Sequence, residues 1–213
     1  MSDEARWGRY YDAVTDRPPR PTLIHALDRF AAEDATGGIP ARDRPPPLAL
    51  DLGCGDGRDT LELLRRGWRV LAVDATAEAI ERLLARPDLP EKRLLETRIE
   101  RFEDFQPPAC DLVNASFSLP LCEPAQFPAV WARLTAAIRP GGRFAGQLYG
   151  PQDDWAGRGI TIHHRAAIDS LCAGFSVEKL DETIEDGVTA LGKPKRWHIF
   201  HLVLAKQPAC TFN

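Results

Sequence analysis

Long apolar runs and closely paired cysteines are both missing from this sequence of 213 residues. No window approaches the roughly 18 apolar residues that a membrane-spanning helix needs. The N-terminal sequence MSDEARWGRYYD lacks the apolar stretch of a secretory signal peptide. The 5 cysteines are odd in number and include no CxxC pair, which argues against a disulfide framework. We therefore expect a water-soluble, cytoplasmic protein with reduced thiols and no membrane contact.

An excess of positive charge is also missing, because the formal net charge is -4 at pH 7. A nucleic-acid-binding domain usually presents a basic surface, so we do not expect a nucleic-acid partner. A metal site is not expected either. His198 and His201 are three residues apart on a predicted strand and therefore face opposite sides of it. The sequence leaves the oligomeric state open.

The sequence does contain an alternation of short apolar segments and amphipathic helical segments, which is typical of a parallel sheet with right-handed crossovers. The predicted strands cover residues 48–52, 68–73, 93–98, 111–115 and 143–148, and the helices between them cover 59–66, 76–85 and 124–138. A turn at Pro140-Gly141-Gly142 is expected before the fifth strand.

The flanking segments predict one domain rather than two. Residues 1–47 contain aromatic residues, a helix over 22–32 and a proline-rich loop, and we interpret them as a helical lid. Residues 48–150 form the predicted ligand-binding core. Residues 151–213 predict a helix over 166–172 and an antiparallel hairpin of strands 176–185 and 197–205 at the edge of the same sheet.

The strongest local signal is the glycine-rich stretch Gly53-Cys54-Gly55-Asp56-Gly57, which follows the first predicted strand. Glycines allow a tight turn and a close approach of the backbone to a ligand. In open α/β sheets ligands bind beyond the carboxyl ends of the strands, where an acid such as Asp74, closing the second strand, can accept ribose hydroxyls. The pattern therefore predicts a crevice for an adenosine-containing ligand.

A loop rich in glycine has three other interpretations. The dinucleotide fingerprint GxGxxG requires a third glycine where this chain has Arg58, which disfavours a nicotinamide oxidoreductase. A P-loop is excluded because no Gly-Lys-Ser/Thr follows. The remaining alternative is a loop of tight turns that binds nothing, which the coincidence with Asp74 and the parallel-sheet order disfavours.

Four stretches together resemble the motifs of class I S-adenosylmethionine-dependent methyltransferases, and they are Asp51–Gly57, Leu71–Asp74, Asp111–Ser116 and Arg139–Gly142. The stretch 55–59, with the early Tyr10-Tyr11, is loosely similar to the small tellurite-resistance methyltransferases. The resemblance implies a Rossmann-like, doubly wound α/β fold with three α/β/α layers. Its sheet would have seven mostly parallel strands and end in the antiparallel C-terminal hairpin. The implied cofactor is S-adenosyl-L-methionine, with S-adenosyl-L-homocysteine as product.

The resemblance also implies which residues hold the cofactor. The glycine loop passes under the methionine part, Asp51 supports the loop and the amino group, and Asp74 holds the ribose. Arg58 departs from many members of the family. It is either a solvated residue at the start of the helix or a salt-bridge partner of the cofactor carboxylate, and Arg20 competes for that second role. The candidate cofactor residues are Arg20, Asp51, Gly53, Cys54, Gly55, Gly57, Arg58, Asp74, Ala75, Phe102, Glu103, Asn114, Ala115 and Ser116.

The acceptor side has weaker signals. A sulfonium methyl group is already electrophilic, so much of the catalysis comes from positioning and water exclusion. A general base is needed only if the nucleophile must lose a proton. The candidate catalytic residues are Tyr11, His163 and His198. For Tyr11 the alternative is an amphipathic helix that packs its aromatic face on the core, and for the histidines it is a structural or surface role.

These observations predict an enzyme that transfers a methyl group to a small molecule. One alternative is methylation of a protein or a nucleic acid. Base-amino methyltransferases often carry Asn/Asp-Pro-Pro-Tyr/Phe where this chain has Asn114-Ala115-Ser116-Phe117, which disfavours that alternative. A second alternative is a non-catalytic module that binds S-adenosylmethionine without turnover.

Overall fold

The computed structural model describes residues 3–15, 17–36 and 45–207. The helices are α1 (Asp3–Val14), α2 (Pro21–Thr36), α3 (Arg58–Arg65), α4 (Ala77–Ala85), α5 (Phe127–Ala137) and α6 (Arg165–Leu171). The strands are β1 (Leu48–Leu52), β2 (Arg69–Asp74), β3 (Leu95–Ile99), β4 (Cys110–Ala115), β5 (Ile138–Tyr149), β6 (Phe175–Val188) and β7 (Pro194–Lys206). Cysteines 54, 110, 122 and 172 are buried free thiols, and Cys210 lies outside the described residues.

All seven strands form one sheet in the order β3-β2-β1-β4-β5-β7-β6. Strands β1 to β5 run parallel to one another, whereas β7 is antiparallel to β5 and β6 is antiparallel to β7. The order reverses between β1 and β4, which places a topological switch point there. This architecture confirms the predicted fold, including the antiparallel C-terminal hairpin.

The period-two alternation of strand residues divides the core between the two faces of the sheet. In β1, Leu50 and Leu52 face one side, where they join the core formed with α5 and α6. Ala49 faces the other side, where it joins the core formed with α2, α3 and α4. Burial on both faces explains why the parallel strands are almost continuously apolar. The result is three layers, α/β/α.

Two elements differ most from the sequence prediction in their boundaries. Strand β5 begins at Ile138 and runs through the predicted Pro140-Gly141-Gly142 turn. An irregularity in its pairing with β4, between Cys110 and Leu112, accommodates these residues inside the strand. The C-terminal hairpin is longer than predicted, because cross-strand pairs continue to Val188 and Pro194.

Helix α1 lies against the glycine loop and α4. Thr15, just after the helix, donates from Oγ1 to Asp56 Oδ2 at 2.6 Å. Asp12 forms an ion pair with Arg82 of α4 at 2.7 Å, in which the Asp12 side chain is 67% exposed. Ion pairs exposed to water contribute little to stability. Tyr11 is only 3% exposed, which agrees with the alternative in which the helix packs its aromatic face on the core.

Candidate active site

The three loop glycines all have positive φ angles, of 66° at Gly53, 55° at Gly55 and 92° at Gly57. Residues with a side chain rarely adopt this backbone conformation. A Cβ atom at Gly53 would lie 2.4 Å from Ser118 Cβ, and one at Gly57 would lie 2.3 Å from Leu83 Cδ1. The first and third glycines are therefore required by packing within the protein.

Gly55 faces the crevice instead. Its Cβ would lie 3.2 Å from Cε1 of Tyr11, and its N–H donates to Oδ2 of Asp74 at 3.0 Å. The other carboxylate oxygen of Asp74 accepts from N and Oγ1 of Thr76, at 3.0 and 2.9 Å. Tyr11 in turn places its hydroxyl 3.4 Å from Thr76 Oγ1. Tyr11 therefore covers the glycine loop and the carboxylate that the sequence predicts to bind ribose.

Two buried carboxylates form the floor of the crevice. Asn114 Nδ2 donates to Asp51 Oδ1 at 2.9 Å and to Asp59 Oδ2 at 3.0 Å. Thr60 Oγ1 donates to Asp51 at 2.5 Å, and Ser116 Oγ donates to Asp59 at 2.6 Å. Burial and the neighbouring Asp59 carboxylate raise the pKa of Asp51. This floor carries more negative charge than its own hydrogen bonds stabilise, which fits a cationic ligand group.

Two arginines border the same crevice. Arg58 donates from Nε to the Pro18 carbonyl at 2.6 Å, whereas its Nη1 is buried without a hydrogen-bond partner. Burial, with the repulsion of Arg20, lowers the pKa of Arg58. The backbone N–H of Arg20 donates to Asp59 Oδ1 at 2.9 Å, while its guanidinium lies over the Phe117 ring, 4.3 Å from the centroid. An unpaired buried donor such as Arg58 Nη1 fits an anionic ligand group.

These groups surround a first cavity of about 60 Å³, which we call the cofactor crevice. It brings together many of the predicted residues: Tyr11, Arg20, Asp51, Gly53, Cys54, Gly55, Arg58 and Ser116. An acidic floor beside an unpaired guanidinium matches the ammonium and carboxylate of an amino acid, as in the methionine part of S-adenosylmethionine. Pockets for ligands of this size measure about 300–1,000 Å³. The crevice is much smaller, so α1 must move before such a ligand can enter.

A second cavity of about 370 Å³ lies beside the cofactor crevice, and Arg20 lines both. Its walls also include Thr22, Phe117 and Gln147, together with side chains of β6 and β7. Phe117 has a φ angle of 57°, which is uncommon for a residue with a side chain. Gln147 supports this conformation by accepting from the Phe117 N–H at 3.1 Å, and it donates to Thr22 Oγ1 at 2.7 Å.

An aromatic box stands behind Phe117 and surrounds the buried ammonium of Lys195. The Nζ atom of Lys195 lies 5.0 Å from the ring centroid of Tyr149, 4.3 Å from that of Trp155 and 3.5 Å from that of Trp197. Both carboxylate oxygens of the buried Asp153 accept from the same Nζ at 2.5 Å. The centroid of the Phe117 ring lies 6.1 Å from the ring centroid of Tyr149 and 6.4 Å from that of Trp197. This box therefore supports the aromatic wall of the second cavity.

Several predicted cofactor residues lie at the margins of the crevice. Ala75 is exposed directly after Asp74, and the Phe102 ring lies close to Gly53, 3.5 Å from the position of its Cβ. Glu103 is held away by the Glu123 N–H, which donates to its Oε1 at 3.1 Å. Ala115 is buried in the core on the α5 and α6 side. The structure does not bring Glu103 or the Ala115 side chain into the crevice.

The two predicted histidines line neither cavity. His163 packs on Phe127, with ring centroids 4.5 Å apart, and burial lowers its pKa to about 4. His198 accepts from the Gln152 N–H at its Nδ1 and contacts Glu182 through Nε2 at 3.0 Å. A third histidine, His201, lines the second cavity instead. A catalytic role for His163 or His198 has no geometric support in this structure.

Sequence reasoning missed Asp59 and Gln147. The sequence analysis places Asp59 only in the first turn of the helix over 59–66. The signal that could have identified it is an acid that closely follows the glycine loop, eight residues after Asp51. The sequence analysis includes Gln147 only as part of the strand over 143–148. Gln147 is 1% exposed, and a buried amide in an apolar strand signals a specific hydrogen-bonding role.

Among the described residues no cluster of potential metal ligands is found, and none of the described helices is long and apolar enough to span a membrane.

Comparison with known proteins adds an independent finding. Residues 49–142 match a family model described as a methyltransferase domain. An uncharacterized methyltransferase of Synechocystis is 32% identical over 101 residues, which cover 47% of this chain and 46% of that protein. A release factor glutamine methyltransferase of Chlorobaculum tepidum is 31% identical over 147 residues, covering 65% and 48%. The chain thus spans about half the length of the curated relatives it matches.

A similar solved structure is the 1,6-didemethyltoxoflavin-N1-methyltransferase of Burkholderia thailandensis with 1,6-didemethyltoxoflavin and S-adenosylhomocysteine bound. It is 19% identical, the match covers 96% of this chain and 89% of that one, and the TM-score is 0.62. At that identity the likeness concerns the fold. This likeness of fold and the match of residues 49–142 to a methyltransferase domain agree with the resemblance to class I S-adenosylmethionine-dependent methyltransferases.

Proposed function

We propose that this protein transfers the methyl group of S-adenosylmethionine to a small-molecule acceptor. The observation that carries the proposal is the juxtaposition of two cavities at the carboxyl ends of the strands. The cofactor crevice and the second cavity both contact Arg20, whose guanidinium lies on the Phe117 ring. A cofactor in the first cavity would therefore present its methyl group toward an acceptor in the second.

Three parts of the cofactor have complementary groups in the crevice or beside it. Asp51 and Asp59 offer carboxylates to the methionine ammonium, and Arg58 offers its unpaired Nη1 to the methionine carboxylate. Asp74 lies at the end of β2, where it is placed to accept the ribose hydroxyls once Tyr11 moves away. Gly55 presents its backbone to the same space.

Bound S-adenosylmethionine supplies an electrophilic methyl group on a sulfonium sulfur. The acceptor's lone pair forms the new bond to that carbon while the carbon–sulfur bond breaks, and its electrons remain on the sulfur of S-adenosylhomocysteine. The protein contributes position and water exclusion. Phe117 and the buried Gln147 shape the boundary between the cavities. No histidine is needed as a base if the acceptor is already an anion.

A protein acceptor is the second candidate, because one of the curated relatives is a release factor glutamine methyltransferase. The second cavity, at about 370 Å³, suits a small molecule better than an extended peptide. The cytoplasmic location and the single-domain organisation stay predictions of the sequence.

The test is transfer of radiolabelled methyl groups from S-adenosylmethionine. The purified protein would be incubated with a panel of small organic acids, phenols and amines, and in parallel with a ribosomal and release-factor protein fraction. The proposal expects label in a small product, together with stoichiometric S-adenosylhomocysteine. Label confined to protein would favour the second candidate. Cofactor binding without any transfer across both panels would favour a non-catalytic module.

A further inference from the structure

The second cavity has a distinctive distribution of charge, centred on Arg20. Within the described residues the guanidinium of Arg20 has no hydrogen-bond or ion-pair partner, and its contact is the Phe117 ring at 4.3 Å. Burial lowers the pKa of Arg20, because removal from water disfavours its charged form. A desolvated cation without a partner is costly, and an oxyanion ligand would remove that cost.

The N-terminus of α2 opens onto the same cavity. The helix begins at Pro21, and Ile24 is the residue whose N–H donates to the Arg20 carbonyl, at 3.0 Å. The N–H groups of Thr22 and Leu23 precede that bond and point out of the helix end. Together with the helix dipole, they create a region of positive potential that favours anions. Two independent features, the Arg20 guanidinium and the N-terminus of α2, therefore favour an anion in the second cavity.

The remaining polar groups add donors without cancelling the charge of Arg20. Thr22 Oγ1 accepts from Gln147 Nε2 at 2.7 Å, so its own hydroxyl hydrogen stays available to a ligand. Lys179 forms an ion pair with Asp181, so these two side chains are close to neutral as a pair. Burial lowers the pKa of His201, which keeps its imidazole neutral at pH 7. Among the residues that line the cavity, the net charge is therefore positive and comes from Arg20.

We propose that the second cavity is the acceptor site and that it selects small molecules carrying a carboxylate or an equivalent oxyanion, which Arg20, the Thr22 hydroxyl and the N-terminus of α2 bind. This assignment rests on the proposed methyltransferase function and names the acceptor class for it. The size of about 370 Å³ accommodates a molecule of one or two rings. Such a ring would lie against the edge formed by Phe117 and His201, whose ring centroids are 6.4 Å apart.

The two arginines have different tasks in this account. Arg58 lies at the start of α3 and lines the cofactor crevice but not the second cavity, and its Nη1 is buried without a hydrogen-bond partner. Arg20 is anchored to the crevice through its backbone, by the hydrogen bond to Asp59, but its side chain extends over Phe117 and also lines the second cavity. Arg58 therefore binds the carboxylate of the cofactor, which leaves Arg20 for the acceptor.

The experiment is calorimetric titration of the protein with benzoate, phenyl phosphate and the uncharged isostere benzamide. Each titration is run on the protein alone and on its complex with S-adenosylhomocysteine. We expect either anion to bind at least about tenfold more tightly than benzamide, because a charge-assisted hydrogen bond contributes about 1.5–3 kcal/mol. The tighter of the two anions identifies the group that the natural acceptor carries.

Three variants separate the two arginines. Arg20→Met should weaken benzoate binding about tenfold and S-adenosylhomocysteine binding less than about threefold, and Arg58→Met should do the reverse. Arg165→Met removes an exposed arginine that pairs with Asp169, and it should change neither affinity. Thermal unfolding of each variant verifies that it is folded.

Equal affinity for benzoate and benzamide in the unmodified protein would overturn the proposal, even if a variant failed to fold. So would an Arg20→Met protein that binds benzoate normally, or one that loses only its affinity for S-adenosylhomocysteine. Failure of the proposed function is a separate result. The protein would then not bind S-adenosylhomocysteine at all, whereas its preference for benzoate over benzamide could still be measured on the protein alone.

Discussion

The cofactor crevice and the second cavity are neighbours, but they are built in opposite ways. The crevice is lined mainly by residues of the stretch 51–59 that follows β1, with side chains of α1 and Arg20 on its other side. Several of its polar side chains are bonded to one another, as in the network of Asp51, Asp59 and Asn114. The second cavity draws on residues 20–22, on Phe117 and on separated positions of β5, β6 and β7. Its principal charged group, Arg20, has no ion-pair partner among the described residues.

In the proposed function, the difference follows from the two ligands, because the crevice binds the cofactor and the second cavity binds the acceptor. A site for an invariant cofactor can be formed in advance, with glycines and carboxylates fixed by the turn between a strand and a helix. A site for the acceptor has to differ between enzymes that share a fold, so it is assembled from scattered side chains on the edge of the sheet. Variants in one region should therefore leave the other largely unaffected.

The largest effect is expected for Lys195→Met in the aromatic box behind Phe117. Removing the ammonium leaves Asp153 buried without its cation, which should cost about 3–5 kcal/mol of unfolding free energy. Urea denaturation measures this loss. The folded fraction should bind S-adenosylhomocysteine with unchanged affinity, because Lys195 does not line the cofactor crevice.

The double variant Lys195→Met with Asp153→Asn is the control for that substitution. It removes the uncompensated charge and should recover part of the lost stability. A double variant no more stable than Lys195→Met would show that packing in the aromatic box, rather than the buried charge, determines the loss.

The next largest effect should come from Gly57→Ala, which damages the crevice through the fold. The positive φ angle adds about 1–2 kcal/mol of strain, and the overlap with Leu83 adds about 1–3 kcal/mol. Gly159→Ala is the matched control, because Gly159 has a φ angle of 79° and nothing within 4 Å of its Cβ position. Thermal unfolding should rank Gly57→Ala well below Gly159→Ala, and equal midpoints would contradict the packing role of Gly57.

Asp74→Asn should weaken cofactor binding. The substitution keeps the shape but removes the charge that is predicted to accept the ribose hydroxyls, and such a loss amounts to about 1.5–3 kcal/mol, or about 10- to 150-fold in Kd for S-adenosylhomocysteine. Benzoate binding in the second cavity should not change. Asp88→Asn, on the surface, is the control. Unchanged cofactor affinity in Asp74→Asn would refute the ribose assignment.

The carboxylate floor of the crevice should contribute a pH effect of its own. The pKa of Asp51 is raised in the folded state, so between the ordinary carboxyl pKa of about 3.9 and the raised value the folded protein binds more protons than the unfolded chain. Its stability should therefore fall as pH rises through that window, by up to about 1.4 kcal/mol per pH unit from this group. Asp51→Asn should lack this component. Parallel stability curves for the two proteins would contradict the raised pKa.

The smallest effect is expected for Tyr11→Phe. The hydroxyl of Tyr11 lies 3.4 Å from Thr76 Oγ1, which is a long contact for a hydrogen bond. Its removal should change the Kd of S-adenosylmethionine by only about twofold. A large loss of turnover with unchanged affinity would instead place this hydroxyl at the reaction centre, as the sequence prediction had it.

The contrast between the two regions also explains what the sequence could predict. The glycine loop, Asp51 and Asp74 could be predicted because contiguous residues at the ends of parallel strands meet at one edge of the sheet. The separate tasks of the glycines could not, since the contacts of Gly53 with Ser118 and of Gly57 with Leu83 depend on distant elements. The fold was predictable because each strand and helix has its own periodic pattern.

The histidines show why the second cavity was harder to predict. His198 and His201 were correctly expected on opposite faces of β7, because strand residues alternate. The sequence could not show which face of β7 lines the second cavity, because β7 is an interior strand with apolar residues on both of its faces. Arg20 was identified only as a cofactor candidate, because its position beside Phe117 depends on where α2 packs.

The central claim is that the glycine loop and its carboxylates form a site for S-adenosylmethionine. Calorimetric titration of the purified protein with S-adenosylmethionine, S-adenosylhomocysteine and NAD, in parallel, tests this claim most directly. The account predicts that the first two bind at a single site and that NAD does not. Binding of NAD alone, or of none of the three by a folded sample, would contradict it.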